Sequence, residues 1–517
     1  MTPNVLLRHP FSFSIVVAFI LLLADALVIY PRFRSPLRNI PQTTGRENGR
    51  IIFESPRGKS ALRWIREQPD AELIRIKNAF GLPTILCSGP DALRDILNTH
   101  VYDFEKSWGV RAFLARAIGW GLILSEGAEH TRQKKVLTPA FHIRRIRELY
   151  SLMWEKTQIL QSGLEADIKD HPIGSGGFGL VELSEWSSRL TLDIIGPAAM
   201  GRDFQSLTTE ENPIADAFLE MLRPDRSRLA FLGLHFIIPE SIVRRLPLKT
   251  NETLNRIGTF LRHTCYDIIQ EKNRELMEKG TGLAEYDILS RIVQTGEFTD
   301  AEIVDQMLTF LAAGHETTAS ALTWACYLCA KYPEVQQKLR AEIHENIPSS
   351  TTTITWDILE SMSYLNGVCE ETLRLYPTVP ATIREAVRTT QVAGYTIPKG
   401  TDFILVPYAI NRHPRFWGDN ADMIVPERWI DTLPDGTTRP NKTGGTTTNF
   451  SELTFLHGPR ACIGRDFAKA ELRCAVAGVI GKFEIELCTL EEPKVTGVIT
   501  MKAEGGMYLR LRPIESW

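Results

Sequence analysis

The chain has 517 residues, 43% of them hydrophobic and 23% charged, and its formal net charge is −3 at pH 7. This composition is typical of a globular protein that buries a large core. The chain has no excess of positive charge that would attract a polyanion, so we expect no nucleic-acid partner.

The first predicted element is an apolar segment from Phe11 to Tyr30. Twenty helical residues span about 30 Å, which matches the hydrocarbon core of a bilayer. Three arginines follow closely, and this basic flank favours a cytoplasmic location for the rest of the chain. We therefore predict a single-pass membrane anchor at residues 1–30, a proline-rich stalk at residues 31–41 and one catalytic domain at residues 42–517.

A cleaved signal peptide is the alternative for this segment. Residues 24–26 read Ala-Asp-Ala, which fits a cleavage site. Apolar residues continue past Asp25 and basic residues follow, which favours the anchor. Three glycosylation sequons, at Asn251, Asn441 and Asn449, stay bare if the domain is cytoplasmic.

The next elements mix strands and helices. Residues Glu72 to Cys87 predict two strands, and a helix follows from about Pro90 to Leu97. From Gly127 to about Ser290 the pattern is mostly helical, with a glycine-rich connection at Ile173 to Gly179. The apolar stretch from Leu229 to Leu248 predicts core packing, or a segment that dips into the membrane beside the anchor.

The longest predicted helix begins after Thr299. Thr299 and Glu302 form a capping box, and Pro333 ends a helical pattern that runs to about Lys331. At 1.5 Å per residue this helix is about 50 Å long, so we expect it to cross the whole domain.

The C-terminal part alternates helices with short strands. A helix is predicted from Ser363 to Leu375, a hairpin from Gln391 to Pro407 around Pro398-Lys399-Gly400, a loop from Pro434 to Phe450, and a helix from Gly464 to about Lys482. The predicted fold class is mainly α with a small β region, in a single catalytic domain.

One loop carries the strongest chemical signal. It reads FLHGPRACIG and contains Phe455, Gly458, Arg460, Cys462 and Gly464. Glycines let backbone approach a bulky planar group, and amide N–H groups in such a turn can stabilise a thiolate. Alone, a cysteine in a glycine-bounded turn is usually structural.

As F-x-x-G-x-R-x-C-x-G, however, the pattern resembles the cytochrome P-450 family, of the eukaryotic microsomal type and most like its fungal members. The resemblance runs from about Pro41 to the C-terminus and implies the P-450 fold. It implies haem b as the cofactor, with the Cys462 thiolate as the axial iron ligand that favours O–O cleavage.

Two further motifs match the family in order. Glu371 and Arg374 form its E-x-x-R, a spacing that alone more often marks a surface ion pair. The resemblance implies that Glu371, Arg374 and Arg428 form a structural network. Glu316 and Thr317, within Ala313-Gly314-His315-Glu316-Thr317, resemble the oxygen-activation motif and would pass protons as general acids. His315 is not expected to be a ligand.

Four basic residues are the expected partners of the haem propionates. The family pattern W-x-x-x-R is replaced here by His130 and Lys134, which can still donate to a carboxylate. Arg460 and Arg384 are the other two. A cluster of basic residues is usually a solvated face, but the resemblance implies that some of those nearby dock an acidic reductase; they are Arg132, Lys134, Lys135, Arg144, Arg145 and Arg147.

The resemblance implies a monooxygenase that oxidises a lipophilic small molecule with dioxygen and electrons from NADPH–cytochrome P-450 reductase. It also suggests the endoplasmic reticulum membrane and fungal secondary metabolism of a terpenoid, polyketide or alkaloid. Two alternatives are a haem-thiolate isomerase or dehydratase that acts on peroxides, and a non-enzymatic haem-binding protein. The substrate pocket is expected to be apolar, with walls that include Phe113, Leu114, Ile118, Phe310, Ala313, Val379, Val498 and Ile499.

Overall fold

The computed structural model describes residue 18 and residues 34–43, 54–78, 83–209, 212–222, 226–235, 238–279, 287–349, 352–497, 499–514 and 517. Apart from residue 18, the predicted anchor at residues 1–30 lies outside the described residues. Within those ranges, no helix is both long enough and apolar enough to cross a membrane.

Helices make up most of the described chain. The α-helices are α1 Lys59–Glu67, α2 Pro90–Arg94, α3 Trp108–Ile118, α4 Gly127–Leu137, α5 Ile143–Glu148, α6 Tyr150–Asp170, α7 Leu183–Ile195, α8 Pro213–Leu222, α9 Arg226–Leu234, α10 Glu240–Val243, α11 Lys249–Lys279, α12 Ile288–Thr295, α13 Asp300–Lys331, α14 Pro333–Asn346, α15 Trp356–Ser361, α16 Ser363–Leu375, α17 Pro407–Ile410, α18 Pro414–Trp417 and α19 Arg465–Lys482.

The strands form small sheets. They are β1 Leu73–Lys77, β2 Pro83–Cys87, β3 Phe104–Glu105, β4 Pro172–Ile173, β5 Phe178–Glu182, β6 Thr382–Ala386, β7 Thr390–Val392, β8 Tyr395–Ile397, β9 Asp402–Leu405, β10 Ile430–Thr432, β11 Thr438–Pro440, β12 Phe483–Leu487, β13 Val495–Thr496, β14 Lys502–Ala503 and β15 Tyr508–Pro513. One sheet has the order β1-β2-β9-β6-β3 and another has the order β12-β15-β5-β4. Three two-stranded ribbons pair β7 with β8, β10 with β11, and β13 with β14.

Helix α13 is the central element of the larger hydrophobic core. The predicted capping box is confirmed, because Thr299 Oγ1 accepts from Glu302 N and the Glu302 carboxylate accepts from Thr299 N. The helix runs for 32 residues and packs against α7, α11 and α19. A second core lies under the five-stranded sheet and includes Leu37 and Ile40, so this part of the predicted stalk packs on the domain.

Two predictions about turns were wrong. The hairpin in Gln391–Pro407 turns at Ala393 and Gly394, both with positive φ, which suits a tight two-residue turn between β7 and β8. Strand β9 instead pairs with β2 and β6. The connection at Ile173–Gly179 is a small hairpin of β4 and β5, since glycines at both of its ends take positive φ.

The loop predicted from Pro434 to Phe450 also contains a strand. Its residues Thr438–Pro440 form β11, which pairs with β10. The pattern is short and polar, so nothing in the sequence distinguished it from a loop.

Candidate functional site

The loop that carries Cys462 is fixed by backbone contacts. Cys462 N donates to Phe455 O at 2.9 Å, and Ala461 N donates to Gly458 O at 3.0 Å. Gly458 has a φ of +71°, and a Cβ there would overlap the Leu97 carbonyl. A glycine is therefore required at this position, and the loop leads directly into α19.

Cys462 faces a cavity of about 320 Å³ between its loop and α13, which we call the cysteine cavity. On the α13 side the wall includes Ala313, Gly314 and Thr317. Burial raises the pKa of the Cys462 thiol, although the Gly464 N–H and nearby cations oppose this. A metal ion at the sulfur would deprotonate it, since a coordinating thiol is held as thiolate.

Only some of the residues predicted to form the apolar wall of the substrate pocket line the cysteine cavity. Phe310, Ala313 and Val379 line the cysteine cavity. Phe113 instead packs edge-on against Phe231 and His235, away from it. Leu114, Ile118 and Ile499 are not among the lining residues in the described part of the chain, and Val498 lies outside that part.

Five basic side chains gather along the cysteine cavity. Four are the predicted propionate partners, His130, Lys134, Arg384 and Arg460; the fifth is Lys106, which no sequence motif marks. Lys134 Nζ donates to the Pro459 carbonyl of the cysteine loop.

One buried carboxylate balances this charge in part. Glu126 forms ion pairs with Arg460 and with Lys106, the latter at 3.6 Å between Nζ and Oε1. Its role was missed, because nothing in the local sequence places residue 126 beside residue 460. Among the described residues, the five basic side chains of the cavity therefore outnumber the one buried carboxylate that pairs with them.

The surplus positive charge fits an anionic group. Burial and neighbouring cations lower the pKa of Lys106 to about 7, of His130 to about 4 and of Arg384 to about 10. Within the described part of the chain, His130 Nδ1 and Arg460 Nε are buried without a hydrogen-bond partner. These donors suit the two carboxylates of haem b, so the residues present fit the implied cofactor.

Glu316 and Thr317 are neighbours on α13 but face different spaces. Thr317 lines the cysteine cavity, and its Oγ1 donates to Ala313 O at 2.6 Å. The Glu316 carboxylate forms an ion pair with Lys502 and lines a separate cavity. His315 Nε2 is hydrogen-bonded to Ser188 Oγ at 2.6 Å, and His315 does not line the cysteine cavity.

The Glu371 carboxylate is the centre of a buried network. Arg374 donates to its two oxygens from Nε at 2.6 Å and from Nη2 at 2.7 Å. Trp429 Nε1 also donates to it at 2.9 Å, a contact that the sequence motif does not include. Arg428 Nε is 3.9 Å away and its guanidinium donates mainly to backbone carbonyls, so it is the weaker member.

The network reaches the cysteine loop through Asn411. Arg374 Nη1 donates to Asn411 O at 2.9 Å, and Asn411 Nδ2 donates to Thr454 Oγ1 at 2.9 Å. Asn411 Oδ1 accepts from Leu453 N, just before Phe455. The buried ion pair therefore holds the start of the loop that presents Cys462.

The basic residues around α4 and α5 are mostly paired. Arg132, Arg145 and Arg147 form ion pairs with glutamates. Lys135 and Arg144 are exposed and have no ion pair in the part of the chain that the structure describes. These two side chains remain free to contact an acidic partner.

Comparison with known proteins agrees with this geometry. The family model for cytochrome P450 matches residues 76–508. The chain is 35% identical to the cytochrome P450 monooxygenase sphH of Aspergillus fumigatus over 504 residues, which covers 95% of this chain and 91% of that protein. It is 34% identical to the cytochrome P450 monooxygenase FUM15 of Gibberella moniliformis, over 94% of this chain and 90% of that protein.

Proposed function

Because the chain belongs to the cytochrome P450 family of haem-thiolate monooxygenases, we propose that it oxidises a lipophilic small molecule with electrons delivered by NADPH–cytochrome P450 reductase. Proteins of this family hold haem b through a cysteine thiolate. We assign that role here to Cys462. One observation carries the proposal: Cys462 and Thr317 line the same cavity, along which five basic side chains gather.

When bound, haem b supplies the activation of dioxygen, so that one oxygen atom enters the substrate and the other leaves as water. His130, Lys134, Arg384 and Arg460 would hold its carboxylates, together with Lys106. The apolar wall that includes Phe310 and Val379 excludes water and binds the substrate by hydrophobic contact. Thr317 donates a proton into this cavity, and Glu316 replaces it from solvent.

We also propose where the protein is located in the cell and which kind of metabolism it serves. Residues 1–30 would anchor the chain in the endoplasmic reticulum membrane, residues 31–41 would connect it, and residues 42–517 would form the catalytic domain on the cytoplasmic side. The apolar run and its basic flank support the anchor. Similarity to fungal monooxygenases supports a place in fungal secondary metabolism. The substrate that we propose is a terpenoid, polyketide or alkaloid.

The test replaces the iron ligand. We expect Cys462→Ala to lose the thiolate-type spectrum of the reduced carbon-monoxide complex, whereas Cys488→Ala, which changes a free cysteine that does not line the cysteine cavity, keeps it. A source strain that carries Cys462→Ala should accumulate a lipophilic compound that lacks one oxygen atom or has two extra hydrogens.

Two results would contradict the proposal. If Cys462→Ala keeps the spectrum, the ligand assignment is wrong. If purified wild-type protein converts an organic peroxide but turns over no substrate with NADPH, dioxygen and reductase, the enzyme is the isomerase or dehydratase instead.

A further inference from the structure

The connection between α3 and α4 forms part of the wall of the cysteine cavity. We call residues 119–123 the wall loop. Leu122 and Ile123 line the cavity together with Phe310 and Ala313 of α13. Because the shape of a pocket is set by the residues that line it, the position of the wall loop decides how much room a bound molecule has.

The wall loop lies in close contact with the first half of α13. A Cβ on Gly121 would overlap Thr309 Oγ1 and the carbonyl oxygen of Asp305. Gly119 has a φ of +67°, and a Cβ there would overlap the Asp305 carboxylate. The two glycines therefore allow the loop backbone to approach the helix more closely than a larger residue would.

Two neighbouring side chains of α13 bind the backbone of the wall loop. Asp305 Oδ2 accepts from Trp120 N at 2.9 Å, and its other oxygen accepts from Arg262 on α11 at 2.8 Å. Gln306 Oε1 accepts from Leu122 N at 3.0 Å. Since both bonds to the loop go to main-chain N–H groups, the helix fixes the position of the loop and not only that of its side chains.

Gln306 is the fully buried member of this pair. Its Nε2 donates to Gln133 Oε1 on α4 at 2.9 Å, so its carbonyl oxygen is the end that faces Leu122. Gln133 is itself buried, and α4 is the helix that carries His130. A single amide therefore joins α13, the wall loop and α4.

We infer that Gln306 is a positioning residue that fixes the wall loop and thereby limits the size of the molecules that the cysteine cavity accepts. The inference rests on the proposed monooxygenase function and deepens it by assigning a determinant of substrate size. Without Gln306 the buried Leu122 N–H loses its acceptor, which favours positions in which the loop moves away from α13. A ligand that requires the displaced loop then binds more tightly, because the competent state is more populated.

The experiment uses the holoenzyme and two azoles whose imidazole nitrogen binds haem iron, 4-phenylimidazole as the small probe and clotrimazole as the bulky one. Titration of the shift in the haem absorption band gives both dissociation constants. Gln306→Met keeps the length of the side chain and removes both amide hydrogen bonds. We expect the ratio of the clotrimazole constant to the 4-phenylimidazole constant to fall about fivefold or more.

Gln336→Met is the matched control. Gln336 is also buried, and its Nε2 donates to Cys329 O at 3.0 Å and to Ile485 O at 2.9 Å. It lies on α14 and is not among the described residues that line the cysteine cavity. The variant should lose stability, because it too leaves buried polar groups unpaired, but its ratio should stay within about twofold of the wild type.

Gln133→Met approaches the same amide from α4 and serves as a second variant. It removes the acceptor of Gln306 Nε2, so the amide is no longer held with its oxygen toward Leu122. We expect the ratio of the two constants to fall about twofold, less than in Gln306→Met, because the bond to the loop can still form.

Hydrogen exchange measures the wall loop without any ligand. In Gln306→Met the loop amides should exchange about tenfold faster than in the wild type, and in Gln336→Met their exchange should be unchanged. The proposal is overturned if the azole ratio stays the same in Gln306→Met and Gln133→Met, if it falls equally in Gln336→Met, or if loop exchange does not change in Gln306→Met. If the wild type itself lacks the thiolate-type spectrum and binds neither azole, the proposed function fails instead.

Discussion

Glu371 and Arg374 form an ion pair that is inaccessible to solvent. Both side chains are completely buried, and each carboxylate oxygen accepts a hydrogen bond from Arg374. The three remaining acceptors of Arg374 are the carbonyls of Asn411, Ala421 and Met423. Such a pair adds little net stability over an apolar core, but the loss of one partner leaves a buried charge uncompensated.

We therefore expect Arg374→Met to destabilise the fold by about 3–5 kcal/mol and to lower the fraction of purified protein that holds haem. Lys338→Met is the matched control, because Lys338 and Glu427 form an exposed ion pair at 2.8 Å. An exposed pair contributes about 1 kcal/mol or less. Thermal denaturation and haem content measure both variants, and equal losses would show that burial of the pair is not what matters.

Glu452 is a second buried acid, and it makes stability depend on pH. One of its carboxyl oxygens is buried without a hydrogen-bond partner in the described part of the chain. Burial raises the pKa of Glu452 to about 7, and the Glu370 charge adds to this against the opposing Lys469. An unfolded glutamate titrates at about 4.3. Its contribution to stability is therefore complete below about pH 4 and is lost as the pH rises to about 7.

Glu452→Gln removes this titration and keeps the shape of the side chain. At pH 8 we expect the variant to be more stable than the wild type by roughly 4 kcal/mol, because the wild type must hold a buried carboxylate there. The advantage should shrink as the pH falls toward 5. Melting temperatures at pH 8 and pH 5 measure the difference, with Glu491→Gln at an exposed position as control. If the variant is more stable than the wild type by the same amount at both pH values, the raised pKa of Glu452 is contradicted.

At the scale of elements, the cysteine loop depends on one glycine more than its motif suggests. Gly458 and Gly400 both have positive φ, +71° and +81°. A Cβ on Gly458 would overlap Leu97 O, whereas a Cβ on Gly400 meets nothing within 4 Å. An alanine at either position would have the same unfavourable left-handed backbone conformation. Only the alanine at Gly458 would also overlap a neighbouring atom, the Leu97 carbonyl oxygen.

Gly458→Ala should lose most of the thiolate-type carbon-monoxide spectrum, because the loop must move away from the Leu97 carbonyl. Gly400→Ala should keep the spectrum. Its free energy of unfolding should fall by only about 1–2 kcal/mol, the cost of placing an L residue in the left-handed conformation. The spectrum and the melting temperature are measured together. If both variants lose the spectrum equally, the close approach to Leu97 is not what fixes the loop.

Elements whose signals are local could be predicted from the sequence. The capping box placed the start of α13 to the residue, and the spacing Glu371 to Arg374 put both side chains on one face of α16. The hairpin at Ala393 was misplaced because alanine rarely takes positive φ, whereas Pro398-Lys399-Gly400 has the composition of a turn. Contacts between distant segments left no local pattern. The positions of Lys106 and Glu126 beside Arg460, and of Lys502 beside Glu316, therefore had to come from the structure.

At the scale of the whole molecule, the described residues form a mainly helical domain with two large hydrophobic cores and two small clusters. The larger core surrounds α13, and the smaller one lies beneath the five-stranded sheet. The mainly α class was predicted from composition and periodicity, and the family comparison confirms the P450 fold. The orientation of this domain relative to a membrane stays a prediction, because the proposed anchor lies outside the described residues.

The three sequons are not equal reporters of that orientation. Asn251 is 4% exposed, and its Nδ2 donates to the carbonyls of Val243 and Leu246, so a glycan there is incompatible with the folded domain. Asn441 is partly buried and donates to Arg428 O. Asn449 is exposed. Among the three, Asn449 is therefore the position at which a lumenal domain would carry a glycan.

If residues 1–30 anchor the chain with its domain in the cytoplasm, the wild-type protein should carry no glycan, and endoglycosidase treatment should leave its electrophoretic mobility unchanged. A version whose first 30 residues are replaced by a cleavable secretory signal is the positive control. It should gain one glycan, and Asn449→Gln should remove that glycan, because the acceptor amide is exposed there. If the wild type itself shows a mobility shift that Asn449→Gln abolishes, the domain is lumenal. The basic flank after Tyr30 would then have failed to set the orientation, and a reductase on the cytoplasmic face could not reach the enzyme.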